Sequence, residues 1–186
     1  MSLIQSTSKP VHPLESGTGS GKALRIEVPT QDQDNWCWCA VTLGVRRFYA
    51  KSSIGEQCET ARDVLGVATA CQSPSALDSN VMHDLADALS HYGLLAGKAL
   101  QRGLSFAEVV GQINAQRPIA AQTLFLKNGL GHVVVIRGYR NDGTTERVLI
   151  DDPRFGEEDI PLKQFTERYQ GSGEWVLTCL TKSPSS

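Results

Sequence analysis

The hydrophobic pattern changes period at Pro118, and this change constrains the fold more than any other feature of the 186-residue chain. Before it, apolar residues recur at helical spacing. Val41, Val45, Phe48 and Tyr49, within 38–49, fall at i, i+4, i+7 and i+8 on one face of an amphipathic helix. The spacing predicts a second helix over 55–66, ended by Gly66, and a third over 78–92 capped by Asp78. A short extended piece near 96–101 is followed by a helix over 105–116, where Ser105 and Glu108 have the spacing of a capping box. After Pro118 the runs PIAAQTLFL, HVVVIRGYR and TERVLID are rich in β-branched residues and separated by Gly, Asn and Asp, which reads as successive strands. A short helix near 162–169 and a closing strand, EWVLTCLT, complete the pattern. Helices first and strands second predicts an α+β fold, a helical N-terminal half packed on an antiparallel β-sheet half.

Residues 1–24, ending in ESGTGSGK, offer little apolar surface and predict a flexible arm ahead of a single domain over 25–182, with 183–186 as a frayed tail. GSGK fails as a phosphate-binding loop because Ala23 follows Lys22 and no apolar strand precedes it. Eighteen Lys and Arg against 20 Asp and Glu leave a net charge of -2, which gives no basis for a nucleic-acid partner or an anionic membrane surface. No apolar run approaches the roughly 20 residues of a membrane-spanning helix. The start MSLIQSTSKP lacks the pattern of a Sec signal peptide, so the expected location is the cytoplasm or the exterior by another route. The five cysteines contain no CxxC pair, and the sequence leaves open whether Cys58 and Cys71 are core thiols or a disulfide.

Cys37 sits where the polar stretch PTQDQDN gives way to the first helix. The unpaired backbone N–H groups and positive dipole end of a helix N-terminus favour a thiolate, the species that attacks a carbonyl. Of the four histidines, His12 lies in the arm and His83 and His91 fall on the expected third helix. His132 follows Gly129-Leu130-Gly131 and opens a strand, which delivers an imidazole to the rim of a sheet. A three-residue Asn141-Asp142-Gly143 hairpin loop pairs Arg140 with Thr144 and sets His132 opposite Asp152, with Pro153 ending the strand; a two-residue loop sets Asp151 on the His132 face instead. The former register is preferred. Gln31, Gln33 and Asn35 all precede Cys37 closely enough to offer a side-chain amide to an oxyanion. Trp36 either touches an apolar substrate side chain or packs inside.

These residues resemble the papain-like cysteine peptidases, in particular the compact bacterial branch of avirulence effector proteases. The likeness rests on Gln31 with Cys37-Trp38 six residues on, on Gly131-His132-Val133-Val134 and on Leu149-Ile150-Asp151-Asp152-Pro153. NWCWCA, Gln57-Cys58-Glu59-Thr60-Ala61 and Arg117-Pro118-Ile119 are similar too, and the resemblance spans about 25–182. Cys39 stands where the branch has a small residue, and the tract GEED after Phe155 departs from its pattern. The resemblance implies a papain-like fold of two halves with the site between them. It implies Cys37 as nucleophile, His132 as base, Asp152 as its orienting group and Gln31 in the oxyanion hole. The implied reaction is hydrolysis of polypeptides without cofactor or metal, and the sequence names no host or activating protein. Two alternatives share the residues: a transglutaminase-like or other thiol acyltransferase, and a non-catalytic module holding a metal through Cys37, Cys39, His132 and Asp152.

Overall fold

A computed structural model describes residues 20–51 and 54–184. In chain order the elements are β1 (Ser20–Ala23), α1 (Cys37–Ala50), α2 (Gln57–Leu65), α3 (Leu85–His91), α4 (Phe106–Asn114), β2 (Ile119–Phe125), β3 (Leu130–Asn141), β4 (Glu146–Asp152), β5 (Gly156–Pro161), α5 (Leu162–Arg168) and β6 (Gly173–Leu180). The strands form one antiparallel sheet in the order β5-β4-β3-β2-β6, and β1 pairs with the far end of β3. The fold is α+β, as the change of period predicts.

The helix rules hold where the local signal is strong. α1 begins at Cys37 and buries its residues 38–45, in contact with β3, α2 and α3. Ser105 and Glu108 form the expected capping box at α4, and Gly66 closes α2 in the left-handed conformation that costs glycine least. The third helix is shorter than expected. It runs over Leu85–His91 and is capped by Asp84, whose side chain accepts from Asp87 N, so neither Asp78 nor His83 belongs to it. Residues ahead of it are otherwise engaged: the carbonyls of Ser79, Asn80 and Val81 accept from the side chains of Trp36, Asn35 and Trp38. A disulfide between Cys58 and Cys71, 13 residues apart, ties this loop to α2. Closing a loop of that length contributes about 3 kcal/mol in the chain-entropy account.

The arm boundary moves. Most of the predicted arm lies outside the described residues, but Ser20–Ala23 is a strand, paired from Ser20 with Asn141 to Ala23 with Gly138. A Cβ at Gly138 would lie 2.6 Å from the Lys22 carbonyl, so the missing side chain lets β1 approach. Leu24, Ile26 and Val28 then alternate into the core. Their period-two pattern was present in the sequence beneath the Gly and Ser content. At the other end, Ser183 and Pro184 are exposed and outside any element, and residues 185–186 lie outside the described residues.

The β3–β4 hairpin differs from the preferred register. Arg140 pairs with Arg147 and Asn141 with Glu146, around residues 142–145, whose turn is held by Asp142 Oδ1 accepting from the N–H groups of Thr144 and Thr145. This register alone would put Asp151 on the His132 face. A bulge at Arg137 inserts one residue into β3, and beyond it Ile136 pairs with Ile150 and Val135 with Asp151. Continued along the strand, this places Asp152 diagonal to His132 on the same face. The expected face is therefore correct although the expected pairing is off by two, because a shift of two residues preserves the face.

Candidate active site

Cys37 is the first residue of α1, so its backbone N–H has no acceptor within the helix. The segment that carries it is clamped from outside. Asn35 N donates to Asn80 Oδ1 and Asn35 Nδ2 to Asn80 O, while Trp36 Nε1 reaches Ser79 O and Trp38 Nε1 reaches Val81 O, all between 2.8 and 3.1 Å. Trp36 is fully buried, which settles its role as packing. His83 lies against the Trp38 ring, with centroids 5.1 Å apart.

Cys37 is partly exposed and free; Cys39 is free and fully buried. The Cys39 thiol donates to Gln57 O at 2.9 Å, and burial pushes it far above the ordinary thiol range. It stays protonated and faces away from Cys37, as expected for a residue about 200° further around a helix. The four-residue metal set is therefore not assembled, and no group of three or more His, Cys, Asp or Glu among the described residues is arranged to hold a metal ion.

The His132 ring is buried between β4 and α1. Its Nε2 lies 2.8 Å from Asp152 Oδ2 and 3.0 Å from Oδ1, and the Cys37 side chain is near enough to act on the charge of the ring. With Nε2 held by the carboxylate, Nδ1 is the nitrogen left for the thiol. Burial opposes the charged ring, but the Asp152 hydrogen bonds and the influence of Asp152 and Cys37 on its charge outweigh it and raise the imidazolium to about 9. Phe125 and Phe155 flank the ring at centroid distances of 6.3 and 6.0 Å.

Asp152 accepts more than the imidazole. Its Oδ1 takes the N–H groups of Arg154 and Phe155, at 2.6 and 2.9 Å, and its Oδ2 takes the Tyr169 hydroxyl at 2.7 Å. Burial works against the carboxylate, but these donors and His132 together hold it below the usual range. Neighbouring Asp151 points elsewhere, its Oδ2 accepting from Val28 N at 2.8 Å. The two acids in sequence thus have separate work, one holding a histidine and one anchoring the chain that follows β1.

Gln31 lies in the loop ahead of α1, and its backbone N donates to Pro153 O, which ties that loop to the end of β4. Gln57 fixes it from the α2 side, donating to Thr30 O and accepting from Asp32 N. This gives a physical reason for the Gln-Cys pair at the start of α2. The Gln31 amide donates both N–H groups at 2.8 Å, to Gln33 O and Asp34 O, and its Oε1 has no hydrogen-bond partner among the described residues. A concavity of about 420 Å³ opens between residues 30–34 and Pro153-Arg154, beside this amide. The two other amides named from sequence stand apart: Asn35 is bound to Asn80, and Gln33 serves through its carbonyl. Sequence reasoning did not find Tyr169, because its contact with Asp152 joins the end of α5 to the end of β4 and leaves no local pattern.

The fold is shared with known thiol proteases. A double-glycine motif protease from an AMS/PCAT transporter, solved with its leader peptide, matches at TM-score 0.51 and 18% identity, over 95% of this chain and 100% of that one. The digestive procathepsin L2 of Tenebrio molitor matches at TM-score 0.53 and 14% identity, over 84% of this chain and 64% of that one. A structure from a study of the mite allergens Blo t 1 and Der p 1 matches at 0.52 and 13%, over 87% and 68%. No curated protein matches the sequence. The family model described as papain-like cysteine protease AvrRpt2 matches residues 20–170, from the first residue of β1 to just past Tyr169. A cysteine at a helix start, a histidine at a strand start and a sheet that brings an aspartate to it are thus found in a chain that belongs to the AvrRpt2 family of papain-like cysteine proteases.

Proposed function

We propose that this protease is an endopeptidase that cleaves polypeptides through an acyl-thioester on Cys37. The observation that carries the reading is the His132 ring, held through Nε2 by Asp152 with the Cys37 side chain close enough to act on its charge. His132 Nδ1 takes the thiol proton, and the thiolate attacks the carbonyl carbon of the scissile peptide bond. The carbonyl oxygen becomes an oxyanion facing the free N–H of Cys37 and the Gln31 amide. As the C–N bond breaks, the imidazolium gives its proton to the leaving amine, and the acyl group stays on sulfur. Water then attacks the thioester while His132 takes its proton, and collapse releases the carboxylic acid and the Cys37 thiol. To serve the oxyanion, Gln31 must release one present acceptor. Gln33 O also accepts from Trp36 N, so it keeps a partner when that happens.

The test is to label one sample of the protein with a thiol-directed epoxide and map the label, and to incubate a second, unlabelled sample with a diverse peptide library with and without a primary amine. Label on Cys37 and internal fragments ending in free carboxylates are expected. Label without cleavage, or amide products formed with the amine, would favour an acyltransferase. Gln31→Ala should lower kcat by about 10²-fold with little change in KM, because the amide helps only once charge develops on the oxygen. A kcat within twofold of the parent would remove Gln31 from the site.

A further inference from the structure

Tyr169 is fully buried just past the end of α5. Its hydroxyl donates to Asp152 Oδ2 at 2.7 Å, the same oxygen that faces His132 Nε2. On its other side it lies 3.1 Å from Glu158 Oε1, on β5, which also accepts from the Gln170 amide. A hydroxyl has one proton, so the two carboxylates compete for it, and the shorter contact assigns it to Asp152. The ring cannot easily drift. The Tyr169 backbone exchanges hydrogen bonds with Gly173 in both directions, and a Cβ at Gly173 would stand 2.9 Å from the Tyr169 carbonyl oxygen. Phe165 packs edge-on against the ring at 5.1 Å.

We infer that Tyr169 is a positioning residue for the thiol site: it fixes the Asp152 carboxylate against His132 and, together with Glu158, sets how much negative charge that carboxylate presents to the imidazolium. The inference rests on the proposed thiol-protease reading and adds to it a control on the strength of the base. The groups that bear on Asp152 are His132 from β3, Cys37 from α1 beyond the ring, and Glu158 from β5, with backbone donors at 154 and 155. Asp151 and Glu157 pair in register on the other face of β4 and β5, where Glu157 binds Arg137. Burial and the two carboxylates push the Tyr169 hydroxyl well above its ordinary range, so it remains a proton donor wherever the enzyme works. The GEED tract that departs from the family pattern is the segment that supplies Glu158.

The sign follows from charge. A donor on Asp152 Oδ2 spreads the carboxylate charge and weakens its hold on the imidazolium, so Tyr169→Phe should move the alkaline limb of activity upward, by about half a pH unit. It should also lower kcat about tenfold with KM unchanged, because the carboxylate loses an anchor. Glu158→Gln removes a negative charge and leaves a weaker competitor for the hydroxyl proton, and should move the limb downward. The experiment measures peptide hydrolysis and the rate of Cys37 alkylation by iodoacetamide against pH, on the full chain and both variants. Opposite limb shifts in the two variants support the inference. A Tyr169→Phe protein that loses activity with an unmoved limb has lost only packing, and one within twofold of the parent at every pH has lost nothing; either result overturns it. If the parent's Cys37 alkylates no faster than buried Cys39 and Cys179, the thiol-protease reading itself fails, and the inference with it.

Discussion

Cys37→Ala is expected to reduce peptide hydrolysis by about 10⁴-fold or more while leaving the melting temperature within a few degrees of the parent. The two halves of this expectation have separate grounds. Activity disappears because no other thiol can substitute: Cys39 and Cys179 are buried and held protonated, and Cys58 and Cys71 are joined to each other. Stability persists because Cys37 is only partly buried, and alanine is at least as good a helix former. Cys39→Ala should behave in the opposite way. It removes a buried hydrogen bond to Gln57 O, so it should lower the melting temperature while retaining the epoxide label. Mass mapping of the label and calorimetry on both variants decide the matter. Label on Cys39, with Cys37→Ala still reactive, would reverse the assignment.

The sequence and the structure agree where function depends on local signals. A polar run that turns into an apolar helix places Cys37 at an N-terminus, and a Gly-rich lead into a Val-rich strand places His132 near a strand start, although Leu130 and Gly131, read as lead-in, already pair with β2 as the first residues of β3. Asp152 required long-range information, and the preferred hairpin loop reached it with the wrong pairing. The loop is longer than Asn-Asp-Gly suggests because Asp142 gathers Thr144 and Thr145 onto its own side chain. The bulge at Arg137 then restores the face. Neither device has a pattern that single-sequence reasoning reads, and their effects cancel in parity. The disulfide, the shortened α3 and the Tyr169 contact stayed illegible for a related reason. Each depends on which distant carbonyl, thiol or carboxylate the chain brings near, and the periodicity of a segment carries no information about its partner. β1 is a different kind of miss. Its Gly and Ser content argued for an arm, yet backbone pairing with β3 needs no apolar side chains, and the alternation of Leu24, Ile26 and Val28 marked where the core begins.

If His132 and Asp152 act as proposed, they set the pH range. The raised histidine favours the imidazolium, so the protonated ring that accompanies the thiolate persists as pH rises and is lost through about 9, which predicts an alkaline limb of activity there. Replacing Asp152 should separate its two contributions. Asp152→Asn keeps an oxygen for His132 Nε2 and for the Arg154 and Phe155 N–H groups, but removes the charge. The limb should fall toward the ordinary histidine value of about 6.5, with activity at neutral pH down by about tenfold to 10²-fold. Asp152→Ala also removes the orientation and leaves buried donors unpaired, so it should cost about 10³-fold or more in kcat and several kcal/mol of stability. Asp151→Ala leaves the Asp152 contacts with His132 in place and loses the anchor to Val28 N, so it should destabilise the fold without moving the limb. The pH profiles of the three variants, read with their melting temperatures, identify which acid serves the histidine. A limb that stays near 9 in Asp152→Asn and moves in Asp151→Ala would transfer that role to Asp151.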